Sequence, residues 1–417
     1  MQRRTFLHSM AAGGLLLPLG GNLWAATASA DSTGTDPSAN KKLIVIMLRG
    51  AVDGLNVVAP VGDANYARLR PGIALARPGD AQGALALDGY FGLHPALEPL
   101  LPLWQQKKLA FVHACGSPDP TRSHFDAQDF MESGTPGIKS TDDGWMNRLL
   151  TQLPGADSPT RALSIGPVMP RILSGHAASS TIASGQAGSR ANLLDKPVIG
   201  TAFAELYKTD AKLGRAYADA QTSHQDVMAA ANKPAMEQAD FGAALPNGFP
   251  DDAARLAKLF KNEPRIRMAF LALGGWDTHA NQGAAQGQLA NRLAPLGQGL
   301  GILARQLGPQ LQDTTIVVMS EFGRTAKQNG NGGTDHGHGN VMWLIGGGVQ
   351  GGKVYGNWPG LDNGQLYEGR DLAVTTDFRS VLAQVAQQRF GMNEDQLGKV
   401  FPALPGMPDA GKMRLFG

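Results

Sequence analysis

Cysteine and charged residues are both scarce in this chain of 417 residues. Cys115 is the only cysteine, which excludes an internal disulfide from the forces that stabilise the fold. A chain of this length buries a large core without such a cross-link. Charged residues make up 17% of the chain and the formal net charge is +2, so the composition gives no indication of a nucleic-acid partner.

The first 30 residues have the features of an export signal. Arg3 and Arg4 precede an uncharged apolar segment from Met10 to Trp24, and the small residues 28–30 follow it. This order is typical of a secretory signal, and the arginine pair indicates the twin-arginine type. The apolar segment is shorter than the roughly 20 residues of a membrane span, so we expect no stable membrane anchor. An uncleaved anchor behind a chance arginine pair is the alternative.

We therefore expect the twin-arginine export machinery to carry the protein to the periplasm or out of the cell. Residues 1–30 are expected to be removed, which leaves a mature chain of residues 31–417. The removed segment contains two arginines and no acidic residue, so the formal charge falls from +2 to about zero.

Six short apolar runs in the mature chain predict the strands of a sheet. They are continuous rather than alternating, which is typical of strands that are covered on both faces. The runs are residues 43–48, 108–114, 162–165, 267–273, 314–319 and 341–345. A helical pattern over residues 286–311 joins two of them, and such a βαβ crossover builds a parallel sheet.

These patterns predict a single α/β domain over residues 31–417. Its expected architecture is a three-layer αβα fold with a central, mostly parallel sheet. An Ala-rich stretch at about residues 201–261 predicts a helical insertion or cap on this domain.

Acidic and histidine side chains follow three of the predicted strands. Asp53 comes soon after the first strand, Asp277 and His279 follow the fourth, and Glu321 follows the fifth. Ligands of open α/β sheets bind at the carboxyl ends of the strands, so these residues are candidate metal ligands. The alternatives are a turn for Asp53, a helix cap for Asp277, and an ion pair with Arg324 for Glu321.

A glycine-rich loop adds three more candidate ligands, Asp335, His336 and His338. Its glycines let the backbone turn tightly, and carboxylate and imidazole groups are common metal ligands. A solvated loop without a metal is the alternative. Mixed nitrogen and oxygen ligands suit zinc or manganese better than calcium or magnesium, so we predict a divalent metal of the first kind.

Ser123 is the candidate nucleophile. It lies between a predicted strand and a predicted helix, where helix N-terminal amides and Arg122 would meet a bound anion. Its hydroxyl needs a base or a metal to ionise at neutral pH, and the candidate ligands would hold that metal. The alternative is a serine that caps the helix.

The candidate residues lie in five motifs of the mature chain, Arg49-Gly-Ala-Val-Asp-Gly-Leu-Asn56, Arg122-Ser-His-Phe-Asp-Ala-Gln128, Gly274-Gly-Trp-Asp-Thr-His279, Ser320-Glu-Phe-Gly-Arg-Thr325 and Asp335-His-Gly-His-Gly-Asn340. Through these motifs the mature chain resembles the DUF1501 family of twin-arginine-exported, sulfatase-like proteins. The resemblance covers nearly the whole mature chain. More distantly, the order of the motifs resembles that of the alkaline phosphatase and sulfatase superfamily.

The superfamily resemblance implies a two-metal or calcium site and a covalent phospho- or sulfo-enzyme. The residues that it implies are a ligand at Asp53, a nucleophile at Ser123, ligands at Asp277 and His279, and a distal histidine at His336 or His338. This chain departs from the superfamily at residues 321–323, where Glu-Phe-Gly stands in place of Asp-His-Gly. Either the ligand role has moved to the later Asp335-His336-Gly337, or one metal position is empty.

The sequence thus predicts an exported metal-dependent hydrolase of phosphate or sulfate esters, which acts through Ser123 or a metal-activated water. Arg122 or Arg324 is expected to hold the anionic oxygens of a small anionic ester or a sulfated glycan. The alternative is a non-catalytic protein that binds a metal or a glycan, since a fold does not fix its chemistry. A purely structural metal is the third possibility.

Overall fold

The computed structural model describes residues 38, 40–155, 158–184, 240–404 and 413–417. The predicted export signal at residues 1–30 lies outside these residues, and so do residues 201–239 of the predicted helical insertion. None of the helices in the described ranges combines the length and the apolar character that crossing a membrane requires.

Most of the described strands form one central sheet, and three short strands form a second. The central sheet contains β1 (Lys42–Leu48), β5 (Leu109–Gly116), β6 (Ala162–Ile165), β7 (Ser180–Ile182), β8 (Met268–Leu273), β9 (Thr314–Ser320), β10 (Asn340–Gly346), β11 (Lys353–Tyr355) and β12 (Thr376–Asp377). The small sheet contains β2 (Val58–Ala59), β3 (Leu85–Ala86) and β4 (Gly92–Leu93).

The central sheet is mostly parallel, which confirms the prediction. Its strand order is β11-β5-β10-β9-β1-β8-β6-β7, and β12 pairs with β5. Only β10 runs antiparallel to its neighbours, β5 and β9. The predicted crossover joins β8 to β9, and these two strands pair with opposite sides of β1.

Helices cover both faces of the central sheet and complete the predicted three-layer αβα fold. The described helices are α1 (Gly54–Val57), α2 (Ala64–Leu69), α3 (Leu101–Gln105), α4 (His124–Ser133), α5 (Trp145–Gln152), α6 (Phe249–Asn262), α7 (Gln288–Leu307), α8 (Phe378–Phe390) and α9 (Glu394–Val400). Helices α3, α6 and α7 belong to the core on one face, and α4, α5, α8 and α9 to the core on the other. Helix α6 ends the stretch predicted as an insertion, and it packs against α7 within a layer.

Strand β1 shows why the apolar runs are continuous. Its even-numbered residues join one core, with Ile44, Ile46 and Leu48. Its odd-numbered residues join the other core, with Leu43, Val45 and Met47. Burial of each such side chain stabilises the fold by about 1.5–3 kcal/mol, so both faces of the strand select apolar residues.

One edge of the central sheet collects the segments that carry the candidate site residues. Strands β1, β5, β8 and β9 run in the same direction, so the loops that follow them leave the sheet at one edge. Strand β10 runs in the opposite direction and therefore begins at that edge. The glycine-rich loop that precedes β10 consequently meets the loops that follow the parallel strands.

Candidate metal centre

Four side chains of the types that bind metals meet at the carboxyl edge of the sheet. His124 is the first residue of α4, Asp277 and His279 lie in the loop after β8, and His336 lies in the loop before β10. Three of these four are sequence-predicted ligands, and the structure adds His124 to them.

The ligand atoms of three of these residues lie close enough together to surround one ion. Those of His124, Asp277 and His336 are all within 4.8 Å of one another. His336 Nε2 is 3.1 Å from His124 Nε2 and 3.4 Å from Asp277 Oδ1. His279 Nε2 lies 3.0 Å from Asp277 Oδ1 and 3.1 Å from His336 Nε2.

The second nitrogen of each histidine is held by an oxygen. The partners of the three Nδ1 atoms are Glu321 for His124 at 2.8 Å, Asp335 for His279 at 3.2 Å, and the Arg122 backbone oxygen for His336 at 2.9 Å. An Nδ1 that donates a hydrogen bond leaves the Nε2 lone pair of a neutral imidazole free. Metal-binding histidines characteristically have their other nitrogen held in this way.

This arrangement fits a transition metal. Neutral imidazoles at these distances turn their Nε2 lone pairs toward one another, and such an arrangement requires a cation or a proton between them. Tetrahedral zinc with bonds of about 2.0–2.1 Å separates its ligand atoms by about 3.3 Å. The observed separations of 3.0, 3.1, 3.4 and 3.7 Å scatter around that length. The residues present thus fit a metal bound by nitrogen and oxygen.

Glu321 fixes the position of His124 from beneath the site. It is fully buried, and its Oε1 accepts hydrogen bonds from the Gly50 amide and from Gln128 Nε2. Burial alone raises the pKa of a carboxyl group, but the hydrogen bonds with His124 and Gly50 lower the pKa of Glu321 overall. Glu321 is therefore an ionised carboxylate that orients His124.

In the absence of a metal, the imidazole of His124 is protonated at neutral pH. Burial lowers the pKa of this imidazole, but the hydrogen bonds with Asp277 and Glu321 outweigh burial and raise the pKa to about 9. Burial raises the pKa of Asp277. The hydrogen bonds that Asp277 accepts from His124 and His336, together with the positive charge of Arg324, outweigh burial and hold this pKa far below its usual range. Asp277 is therefore anionic.

Arg324 holds Asp277 in place. Its Nη2 donates to Asp277 Oδ1 at 2.5 Å and also to the Gly50 and Trp276 backbone oxygens. Nε and Nη1 donate to the backbone oxygens of Ala51 and Thr334. The side chain of Arg324 is buried and its nitrogens are engaged, so in this structure Arg324 positions the candidate ligand Asp277.

Two loops cross closely beside the site because glycine stands at the crossing. The Gly337 amide donates to the Gly323 oxygen at 2.8 Å, and the Thr325 amide donates to the Asp335 oxygen at 3.0 Å. A side chain at Gly337 would overlap the backbone of Arg324. The missing Cβ thus lets the loop that carries His336 approach the loop that carries Arg324.

Asp53 lies outside this cluster, in a buried ion pair. Its Oδ2 accepts hydrogen bonds from Arg70 Nη1 at 2.5 Å and Gln282 Nε2 at 2.6 Å. The side chains of Asp53 and Arg70 are both fully buried. The carboxylate of Asp53 is therefore neutralised by the guanidinium of Arg70, and a metal ion is not needed to balance its charge.

His338 also lies outside the cluster. Its Nε2 contacts the Ser117 backbone oxygen at 3.1 Å, and its ring packs edge-on against Tyr367. Burial lowers the pKa of His338, which favours the neutral imidazole.

The predicted nucleophile Ser123 caps helix α4. Its Oγ accepts a long hydrogen bond of 3.5 Å from the Asp126 amide, which is the alternative raised from the sequence. The neighbouring Arg122 contacts the carboxylates of Asp371 and Glu368 at 2.6 Å. Both residues lie beside the cluster, since Arg122 bonds His336 through its backbone and Ser123 directly precedes His124.

Sequence reasoning missed His124 and Arg70. His124 stands directly after Ser123, at the start of a predicted helix behind a strand, which is the same signal that identified Ser123. Arg70 gave no signal, because it lies 17 positions after Asp53 in the sequence and three short elements intervene.

A family model described as a protein of unknown function, DUF1501, matches residues 40–401. No curated protein has a significant sequence match to the chain.

Several solved structures are distantly similar to this chain. One is a protein in the alkaline phosphatase superfamily from Vibrio parahaemolyticus, with 11% identity, a TM-score of 0.37, and coverage of 76% of this chain and 62% of that one. Another is the C-terminal periplasmic domain of EptC from Escherichia coli in complex with Zn, with 10% identity, a TM-score of 0.34, and coverage of 74% and 73%. A third is the PsFucS1 sulfatase from Pseudoalteromonas sp., with 11% identity, a TM-score of 0.34, and coverage of 85% and 68%. These likenesses are weak, and the fold assignment rests on the sheet topology.

Proposed function

This chain belongs to the DUF1501 family of proteins of unknown function, and from that premise we propose that it is an exported metal-dependent hydrolase of phosphate or sulfate esters. One observation carries the proposal. The ligand atoms of His124, Asp277 and His336 converge at the carboxyl edge of the sheet, and His279 Nε2 lies 3.0 Å from Asp277 Oδ1 and 3.1 Å from His336 Nε2. Oxygens hold the Nδ1 atoms of the three histidines, as is characteristic of histidines that bind metals.

In this proposal His124, Asp277 and His336 hold the metal, and His279 is the fourth ligand. Three nitrogens and one oxygen favour zinc or manganese over calcium or magnesium. Glu321 and Asp335 orient two of the imidazoles and are not ligands themselves. A bound metal would lower the pKa of an attacking hydroxyl or water and neutralise charge on the transferred group.

Ser123 remains the proposed nucleophile, with a metal-activated water as the other route. Its hydroxyl is half-buried at the start of α4, one residue before a proposed ligand. The first turn of the helix favours a bound anion, because its amides and dipole point toward that end. To attack, Ser123 must exchange its long capping bond with Asp126 for a bond to the substrate.

One observation favours a second candidate, a metal-binding protein without catalysis. Arg324 is engaged by Asp277 and backbone oxygens, and Arg122 is neutralised by Asp371 and Glu368. Arg122 holds a transferred anion only if it exchanges these partners. A protein that uses the metal for binding alone needs no such exchange.

Metal content and turnover, measured on the same samples, separate the two candidates. The full chain is purified, its metal is measured by elemental analysis, and aryl phosphate and aryl sulfate esters are assayed. His124→Ala is expected to lose both metal and turnover, whereas Ser123→Ala keeps the metal and loses turnover. The matched control is His176→Ala, because His176 is exposed and lies outside the cluster. Metal without turnover on either ester class supports the second candidate, and absence of metal after reconstitution contradicts both.

A further inference from the structure

A cleft lies beside the candidate metal centre. Its volume is about 480 Å³, and three segments line it. They are the end of α2 at Arg68 and Leu69, the loop from Thr325 to Asn329 with Asp335, and the loop from Leu361 to Arg370. We call this the basic cleft, after the charges of its lining.

Positive charge predominates in the basic cleft. Its lining carries three cationic side chains, Arg68, Lys327 and Arg370, and one carboxylate, Asp335, which leaves an excess of two positive charges. The side-chain ammonium of the exposed Lys327 has no hydrogen-bond or ion-pair partner among the described residues. Arg68 donates only to the neutral amide of Asn65, so its charge is not neutralised by that bond. The mature chain carries a formal charge of about zero, so this excess is local.

The basic cleft shares two residues with the surroundings of the metal centre. Asp335 holds the Nδ1 of His279 at 3.2 Å, and Arg370 Nη2 donates to the backbone oxygen of His336 at 2.8 Å. A molecule in the cleft would therefore lie one side chain away from two of the proposed ligands. Arg370 also approaches Asp371 at 3.4 Å, which leaves Arg68 and Lys327 as the less compensated charges.

We propose that the basic cleft binds a second anionic group of the substrate, at a distance from the ester that reacts. The substrate class is a saccharide or similar polar molecule with at least two sulfate or phosphate groups. Lys327 and Arg68 bind the second anion, and the amides of Gln328 and Asn363 in the lining suit neighbouring hydroxyl groups. That this ligand is a substrate rests on the proposed function. That the ligand binds in the cleft does not, because binding can be measured without turnover.

The test uses a trisulfated disaccharide and calorimetric titration of the full chain. Lys327→Met and Arg68→Gln are each expected to weaken binding by about threefold to tenfold, because each removes one charge-assisted contact at an exposed site. Added salt is expected to weaken binding of the wild type. The matched control is Lys353→Met, an exposed lysine on β11 that lies outside the cleft, and it is expected to bind like the wild type.

A variant without the metal site separates this inference from the proposed function. His124→Ala removes a proposed ligand that does not line the cleft, and binding of the disaccharide to this variant is expected to weaken by a further threefold to tenfold, roughly, when Lys327→Met is added. Loss of binding in His124→Ala alone would place the disaccharide at the metal centre and overturn the inference. Wild-type affinity in both Lys327→Met and Arg68→Gln, or no binding to the wild type, would overturn it as well. Binding that follows the expected pattern without any turnover supports the cleft and contradicts only the hydrolase.

Discussion

The Nε2 atoms of His124 and His336 lie 3.1 Å apart, although an oxygen holds the Nδ1 atom of each ring. Two neutral imidazoles in these tautomers would face each other with their lone pairs. Asp277 Oδ1 lies within 3.7 Å of both nitrogens and adds a negative charge. A divalent metal between these atoms would satisfy the two nitrogens and the carboxylate oxygen.

Replacement of Glu321 by glutamine is expected to weaken metal binding by about 10-fold to 100-fold, because an outer partner orients the ligand and raises its basicity. Glutamine keeps the shape of Glu321 but removes the carboxylate from His124 Nδ1. Competition with a chelator of known affinity measures the change. Glu368→Gln is the control, since Glu368 is an exposed carboxylate that contacts Arg122. Equal affinity in Glu321→Gln and the wild type would contradict the role of Glu321.

Metal affinity is expected to rise with pH. The pKa of His124 is raised to about 9 in the absence of metal, so the metal must displace a proton at any lower pH. Below about pH 9, each pH unit is expected to strengthen binding by about tenfold, since one proton is released for each metal bound. Affinities at pH 6, 7 and 8 in buffers that do not bind metal measure this slope. A constant affinity over that range would contradict the protonation of His124.

Asp53→Asn is expected to keep the metal and to destabilise the fold. The substitution leaves the guanidinium of Arg70 buried without its anion, and loss of one partner of a buried ion pair costs about 3–5 kcal/mol. Asp277→Asn is the comparison, since it is expected to lose the metal. Chemical denaturation and elemental analysis of both variants measure the two effects. Loss of metal from a folded Asp53→Asn would show that Asp53 is a ligand.

Gly337→Ala is expected to destabilise the protein by about 1–3 kcal/mol, because a methyl group at residue 337 has no room beside the backbone of Arg324. The added methyl group would overlap the Arg324 backbone and push apart the loops that carry His336 and Arg324. Metal affinity is expected to fall with it. Gly330→Ala in the same loop is the control, since a Cβ at Gly330 meets no atom of the described residues within 4 Å. Thermal unfolding of both variants checks the difference.

Much of the fold was predictable because burial on both faces leaves a clear pattern. The continuous run Leu43–Leu48 and five others lie in strands of the central sheet, as β1 shows with its two sets of core residues. The direction of β10 was not predictable, because its apolar run contains no signal for orientation. That direction brings His336 to the same edge as Asp277.

The candidate site was predictable in part, for a similar reason. Asp277 and His279 lie four and six residues after β8, and His336 lies four residues before β10. Their residue types and their positions near strand ends identified them from the sequence. The pairing of Asp53 with Arg70 depends on how α2 packs against the loop after β1, and residue type alone does not report such a contact. His124 was overlooked because the adjacent Ser123 had the more familiar chemistry.

Crystals of the zinc-loaded full chain offer the most direct measurement, as anomalous diffraction at the zinc absorption edge locates the metal itself. The account predicts a peak about 2.0–2.2 Å from His124 Nε2, His336 Nε2 and an Asp277 carboxylate oxygen. A peak at Asp53 or His338, or the absence of any peak between His124, Asp277 and His336, would contradict it.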